Sequence, residues 1–138
     1  MKTRSDLAAY AYFDASALAK LVVAEAETSA LENDAAHRAG LLTSRLGAAE
    51  LRRAAARVGR RDVLQQVEDV LDAVVLIEVS PAILDRAGRL APAGLRTLDA
   101  IHLATALTLP FADLDFITYD HRLIGAARDA GLRVRQPQ

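Results

Sequence analysis

The sequence predicts an α/β fold in which helices cover both faces of a parallel sheet. Short apolar runs alternate with longer segments whose apolar residues recur at helical spacing. This alternation is typical of parallel sheets, because helices connect their successive strands. A chain of 138 residues with 52% hydrophobic content can form one compact core. No linker or repeat divides it, so we expect a single domain over 1–138 with a leader at 1–7 that need not be ordered.

The first strand is predicted over Ala8–Phe13, an apolar run with aromatic residues that ends at Asp14. From Ser16 onward, leucine and valine recur at helical spacing, which predicts a helix. A second helix is predicted over Glu27–Ala39, and Gly40 is expected to end it.

The next strand is predicted at 41–43. Ser44 is expected to cap a helix over Arg45–Val58, which Gly59 ends. A further helix is predicted over Arg61–Ala73, where apolar residues lie on one side.

Val74–Val79 is an apolar run that predicts a third strand, and Ser80-Pro81 then opens a helix, with Ser80 as its cap and Pro81 at its first position. After a loop at 91–94, Thr97 is expected to cap a helix that runs to about Leu109.

The last predicted elements are a strand over Phe116–Tyr119 ending at Asp120, a helix over Arg122–Ala130 capped by Gly131, and an edge strand over Leu132–Arg135.

The composition excludes several kinds of site. Cysteine is absent, so disulfides, thiolate zinc sites and cysteine nucleophiles are excluded, and a cytoplasmic location is compatible with this. With only three histidines, a zinc site is not expected. No apolar run approaches the roughly 18 residues that a membrane span needs, and no glycine-rich phosphate loop is present.

Two acidic residues directly follow predicted strands, and two others lie in the first or second turn of predicted helices. Asp14 and Asp120 come directly after strands, Glu50 lies in the second turn of its helix, and Asp99 in the first turn of another. Because ligands bind at the carboxyl ends of parallel strands, these acids are expected to share one edge of the sheet.

Each acid also has an ordinary structural explanation. Asp14 and Asp120 could cap the helices that follow them, and Asp99 suits the positive end of a helix dipole. Glu50 could form an ion pair with Arg53 or Arg57 on its own helix. None of these explanations accounts for the convergence of all the acids on one edge.

A cluster of carboxylates needs a cation. Two carboxylates about 4 Å apart repel by roughly 4 kcal/mol at an effective dielectric constant near 20. Oxygen ligands select hard ions, so the pattern predicts Mg²⁺ or Mn²⁺ and, with it, hydrolysis of phosphodiesters.

Four segments carry a resemblance to the PIN-domain nucleases, and specifically to the VapC toxins of bacterial toxin–antitoxin pairs. They are Tyr12–Leu18 (YFDASAL), Thr43–Leu51 (TSRLGAAEL), Leu98–Ala106 (LDAIHLATA) and Phe116–Leu123 (FITYDHRL). The last two are the most specific, and the resemblance covers the chain from Ala11 onward.

The resemblance implies a three-layer α/β/α sandwich around a parallel sheet of about five strands. It implies that Asp14, Glu50, Asp99 and Asp120 are the catalytic, metal-binding carboxylates, supported by hydroxyl groups whose positions match Ser16 and Thr118. It also implies endonucleolytic cleavage of RNA, with transfer or ribosomal RNA as plausible substrates, inhibition by a cognate VapB antitoxin, and homodimerisation.

Other residues admit functional roles. Six arginines fall between Arg45 and Arg61, and Arg53 and Arg57 among them are candidates for RNA phosphate contacts. His102 and His121 flank the acids, but hydrogen-bonded or surface histidines are the simpler interpretation. Asp115 precedes the fourth predicted strand and is expected at the opposite edge of the sheet.

Two other functions remain open at this point. One is a phosphatase with an aspartyl nucleophile, which usually has a second aspartate two residues after the first, where this chain has Ser16. The other is a PIN-like RNA- or protein-binding module without catalysis.

Overall fold

The computed structural model describes residues 7–138, and the leader predicted at 1–7 therefore lies almost entirely outside the described residues. The strands are β1 (Tyr10–Phe13), β2 (Gly40–Ser44), β3 (Val75–Ile77), β4 (Leu114–Ile117) and β5 (Arg133–Arg135). The helices are α1 (Ala15–Val22), α2 (Thr28–Ala36), α3 (Arg45–Val58), α4 (Arg61–Asp72), α5 (Pro81–Ala87), α6 (Thr97–Thr108) and α7 (His121–Asp129).

The strands form one five-stranded parallel sheet in the order β3-β2-β1-β4-β5. The chain moves outward from β1 to β3 and then crosses back to β4 on the other side of β1. The strand order therefore reverses between β1 and β4, which is where open α/β sheets form a crevice at their carboxyl ends. Phe13 is in register with Ile117, so Asp14 and Thr118 leave the sheet side by side.

Helices cover both faces of the sheet, as the three-layer sandwich requires. Ala11 and Phe13 of β1 pack with α1, α3 and α4 on one face, whereas Tyr12 between them packs with α6 and α7 on the other. Strands buried on both faces read as continuous apolar runs, and this explains the composition of β1 and β4.

Several predicted helix ends are confirmed by the geometry. Ser44 caps α3 by accepting a hydrogen bond from the Leu46 amide, and Gly59 ends the helix with φ of 74°. Ser80 caps α5 with Pro81 at its first position, and Gly131 follows α7 with φ of 94°.

Some predicted boundaries were wrong. Gly40 does not end α2, which stops at Ala36, but begins β2 instead. Thr97 is the first residue of α6 and not its cap, because Arg96 occupies the cap position without a side-chain hydrogen bond. Apolar periodicity alone does not locate the end of a helix to within two or three residues.

The fourth strand is also displaced from its prediction. It covers Leu114–Ile117, so Asp115 lies inside the strand and Asp120 follows its end by three residues. Asp115 still faces the edge opposite the acids, as predicted, because its partners are the Ala8 amide, Arg38 and Arg133 near the amino ends of the strands.

Candidate active site

Asp14 is a buried carboxylate at the carboxyl end of the central strand. Its Oδ1 accepts hydrogen bonds from the Ala17 amide at 3.0 Å and the Ser16 hydroxyl at 2.7 Å, and its Oδ2 accepts one from the Thr118 hydroxyl. The side chain thus caps α1, as the structural explanation predicts, while its Oδ2 lies against Thr118 at the carboxyl edge of the sheet. Burial raises the pKa of Asp14 in spite of these hydrogen bonds, because the charged form has lost its water.

Ser16 and Thr118 join the two loops that leave β1 and β4. Ser16 Oγ accepts a hydrogen bond from the Tyr119 amide at 3.0 Å, and Thr118 Oγ1 accepts one from the Asp120 amide at 3.1 Å. Ser16 therefore accepts a hydrogen bond across the two loops, whereas Thr118 accepts one within its own loop and donates across to Asp14. These contacts connect Asp14 to the backbone that carries Asp120.

Asp99 and Asp120 share one cation, the guanidinium of Arg96. Arg96 Nε lies 3.2 Å from Oδ2 of Asp99, and its Nη2 lies 3.4 Å from Oδ2 of Asp120. Asp120 also caps α7 through the Arg122 amide at 2.9 Å. Since one side chain reaches both carboxylates, the third and fourth acidic segments meet at the same edge.

Glu50 has a partner that the sequence did not indicate. Its Oε1 lies 2.6 Å from His102 Nε2, and His102 Nδ1 lies 2.7 Å from the hydroxyl of Tyr12. The ion pair considered between Glu50 and Arg53 or Arg57 does not form, and both arginines are exposed.

The arginines near α3 differ in their surroundings. Arg45, Arg52 and Arg60 form ion pairs with Glu78, Glu68 and Asp62. Arg53 and Arg57 lie one helical turn apart on the side of α3 that carries Glu50, and within residues 7–138 no carboxylate pairs with either. Their side chains are therefore available to a partner.

His121 is exposed at the start of α7.

The acids suit a hard cation by their chemistry, although their side chains do not form a ready cluster. Among residues 7–138, no three acidic or histidine side chains come close enough together to hold a metal ion as they stand. Arg96 is bound by Asp99 and Asp120, and His102 is bound by Glu50. All-oxygen carboxylate ligands fit Mg²⁺ or Mn²⁺, and rotation of exposed or half-buried side chains is needed to gather them.

Two residues of the site were missed at the sequence level. Arg96 precedes Asp99 by one helical turn, a spacing that predicts an ion pair and could have identified it. Tyr12 gave no usable signal, because an aromatic residue in a buried strand is ordinarily core.

No helix within residues 7–138 has the length and apolar character that crossing a membrane requires.

Comparison with known proteins places the chain in a family. The model of the PIN domain matches residues 11–129. The ribonuclease VapC47 of Mycobacterium tuberculosis (strain CDC 1551 / Oshkosh) is 36% identical over 130 residues, covering 91% of this chain and 96% of that protein. The ribonuclease VapC46 of M. tuberculosis (strain ATCC 25618 / H37Rv) is 41% identical over 133 residues, with the same coverage.

Solved structures share the fold. A crystal structure of VapC20 from M. tuberculosis, described as a sarcin–ricin loop cleaving toxin, has a TM-score of 0.70 at 18% identity and covers 92% of this chain and 99% of its own. A toxin–antitoxin complex from Klebsiella pneumoniae has a TM-score of 0.70 at 25% identity and covers 93% of this chain and 98% of its own. The match over residues 11–129, together with relatives of this identity and coverage, shows that the chain belongs to the PIN-domain family, among its VapC ribonucleases.

Proposed function

We propose that this protein is the toxin of a type II toxin–antitoxin pair and acts as a Mg²⁺- or Mn²⁺-dependent endoribonuclease. The observation that carries this proposal is the buried Asp14 carboxylate, which is joined through Ser16 and Thr118 to the loop of Asp120, beside Asp99. A carboxylate that burial destabilises gains from a cation. The relatives named VapC ribonuclease support the assignment of RNA as substrate.

The proposal assigns the residues separate tasks. Asp14, Glu50, Asp99 and Asp120 would hold the cation, which when bound supplies Lewis-acid activation of water and of the phosphodiester. Ser16 and Thr118 hold Asp14 in one rotamer, so the carboxylate keeps its place without reorganising. Arg96 shares its single positive charge between Asp99 and Asp120 until a cation replaces it.

We further propose that Arg53 and Arg57 bind RNA phosphates. They lie on the side of α3 that carries Glu50, so a backbone bound along this helix would run toward the acids. Replacement of both by Gln is expected to weaken RNA binding and to flatten its dependence on salt, measured by filter binding over a salt series.

The proposed partners come from the relatives. The complexes of Klebsiella pneumoniae and Rickettsia felis contain a toxin with its antitoxin, and we propose a VapB-type antitoxin that inhibits this chain, together with a homodimer of the toxin. A cytoplasmic location follows from the proposed substrate, for which transfer and ribosomal RNA are the candidates.

Asp14→Asn tests the proposal. Asparagine keeps the oxygen that caps α1 but puts an amide donor in place of the oxygen that accepts from Thr118, so the free energy of unfolding should fall by about 1–3 kcal/mol. Cleavage of total RNA in Mg²⁺ or Mn²⁺ is expected to fall by about 100-fold or more, and EDTA should abolish it in the parent protein.

Asp72→Asn, at the exposed end of α4, is the matched control and should cleave like the parent. Equal cleavage by Asp14→Asn and the parent, or cleavage that survives chelation, would refute the proposal. A parent protein that binds RNA and Mn²⁺ but cleaves nothing would indicate a binding module instead.

A further inference from the structure

A chain of two short hydrogen bonds connects the core of the sheet to Glu50. It begins at the Tyr12 hydroxyl, 2.7 Å from His102 Nδ1, and ends at Glu50 Oε1, 2.6 Å from His102 Nε2. Tyr12 is fully buried and His102 is 1% exposed, whereas Glu50 is half-buried at the edge of the site. Both ring nitrogens of His102 are therefore engaged, one on each side.

The partners determine where the imidazole proton lies. A carboxylate oxygen only accepts hydrogen bonds, so Nε2 must carry the proton that faces Glu50. The Tyr12 hydroxyl can then donate to Nδ1, which is left with a lone pair. In this arrangement every group of the chain is satisfied, as buried polar groups require.

The absence of a side chain at Gly47 permits the contact between His102 and Glu50. A side-chain carbon at Gly47 would lie 3.1 Å from His102 Cε1 and 2.6 Å from Thr43 Oγ1. Glycine at this position in α3 lets the ring pass beneath the helix and reach Glu50, one turn further on. An ordinary buried histidine would need neither this close approach nor a partner at the active edge.

We propose that His102 is a positioning residue, which fixes one oxygen of Glu50 through Nε2–H and leaves the other oxygen for the cation, while the Tyr12 hydroxyl donates to Nδ1 and holds the ring in place. Oε2 of Glu50 accepts no hydrogen bond from the part of the chain described, residues 7–138. Outer partners that orient a metal ligand in this way are worth about 10- to 100-fold in metal affinity or activity. The inference rests on the proposed function for the role of Glu50 as a metal ligand. The two hydrogen bonds that connect Tyr12, His102 and Glu50 rest on geometry alone.

Two substitutions of His102 separate positioning from packing. Gln can place its amide nitrogen where Nε2 lies and keep the donor to Glu50, whereas Asn reaches only the position of Nδ1. His102→Gln should keep Mn²⁺ affinity and RNA cleavage within about threefold of the parent, and His102→Asn should lose about 10- to 100-fold in both. Equal losses in the two variants, at equal stability, would mean that His102 is only a core residue.

Nuclear magnetic resonance of the metal-free protein tests the hydrogen bonds of His102 independently of RNA cleavage. Long-range ¹H–¹⁵N spectra should show the His102 proton on Nε2 and a bare Nδ1, and Tyr12→Phe should leave the proton on Nε2 but shift the Nδ1 resonance, because the hydroxyl that donates to Nδ1 is gone. A proton on Nδ1 in the parent overturns the inference. Tyr10→Phe and His37→Gln are the matched controls, because Tyr10 lies two residues away in the same strand and the ring of His37 contacts the Asn33 carbonyl and not Glu50.

These readouts distinguish the two ways of failing. If the parent neither binds Mn²⁺ nor cleaves RNA, the proposed function fails, while the tautomer still decides whether the hydrogen-bonded chain has the stated polarity. If the parent binds and cleaves but the Gln and Asn variants behave alike, the positioning role fails and the proposed function stands.

Discussion

At the scale of single residues, one basic side chain of the candidate site lies between two of its carboxylates. The Arg96 guanidinium lies between Asp99 and Asp120, although its side chain is 67% exposed. An ion pair this open to water contributes about 0–1 kcal/mol to stability. Arg96 therefore adds little to the stability of the fold, and its charge would compete with the proposed cation for these carboxylates.

Replacement of Arg96 by Gln is expected to tighten Mn²⁺ binding by about threefold to tenfold, since a competing charge worth about 1 kcal/mol is removed. The free energy of unfolding should change by less than about 1 kcal/mol. Calorimetric titration with Mn²⁺ measures the first, and urea denaturation the second. Arg128→Gln at the exposed end of α7 is the control, and weaker Mn²⁺ binding by Arg96→Gln would contradict the competition.

At the scale of elements, α3 carries both an acid of the site and the arginines proposed to bind RNA, so its ends matter. Gly59 ends the helix in the left-handed region with φ of 74°, and its amide donates to Ala55 O at 3.0 Å. A residue with a Cβ is strained in that conformation by about 1–2 kcal/mol. Gly125 in α7 is helical, and a side-chain carbon there would meet nothing within 4 Å.

Replacement by alanine is expected to change the free energy of unfolding in opposite directions at these two glycines. Gly59→Ala should lower the free energy of unfolding by about 1 kcal/mol because of the strained φ, and Gly125→Ala should raise it by about 0.5–1 kcal/mol because alanine favours the helix. Urea denaturation followed by circular dichroism compares them. A rise in the free energy of unfolding for Gly59→Ala would show that the end of α3 is not held by Gly59 as described, and a fall for Gly125→Ala would show that position 125 does not accept a side chain.

At the scale of the whole molecule, a buried charge network ties the opposite edge of the sheet together. Asp115 accepts hydrogen bonds from Arg38 and Arg133 and from the Ala8 amide, and Arg38 also binds Asp34 of α2. The network joins segments from both ends of the chain. Burial opposes the charge of Asp115, but Arg133 and Arg38 outweigh it, so the pKa of Asp115 lies below its ordinary value.

Asp115→Asn is expected to lower the free energy of unfolding at pH 7 by about 3–5 kcal/mol, because it leaves the buried Arg38 with Asp34 as its one remaining counter-charge within residues 7–138. The exposed Asp113, which accepts from the Ala9 amide at 2.8 Å, is the matched control, and Asp113→Asn should cost about 1 kcal/mol or less. Guanidinium denaturation of both variants measures the difference.

The same network predicts the direction of the pH dependence. Because the folded-state pKa of Asp115 is lowered, its contribution is fully present above the unfolded value near 3.9 and is lost as pH falls through the lower folded value. The difference in the free energy of unfolding between the parent and Asp115→Asn should therefore become smaller below about pH 4. A difference that stays constant from pH 7 to pH 2 would contradict this assignment.

The sequence by itself determined the α/β class, the single sheet with helices on both faces, and the ends of α3 and α5. These features depend on local rules: apolar periodicity, a serine at a helix start and a glycine where φ must be positive. It also placed Asp14 and Asp120 after strands, because an acid that follows a parallel strand lies at the carboxyl edge wherever the strand pairs.

The tertiary structure alone decided which strands are neighbours and which side chains meet. The reversal between β1 and β4 brings Asp14 beside Thr118, and the approach of α3 to α6 at Gly47 gives Glu50 a histidine partner in place of an arginine. Contacts between residues 52 or 104 positions apart leave no periodic trace in the sequence. They depend on how whole elements pack, and packing is settled by the complete core and not by any one segment.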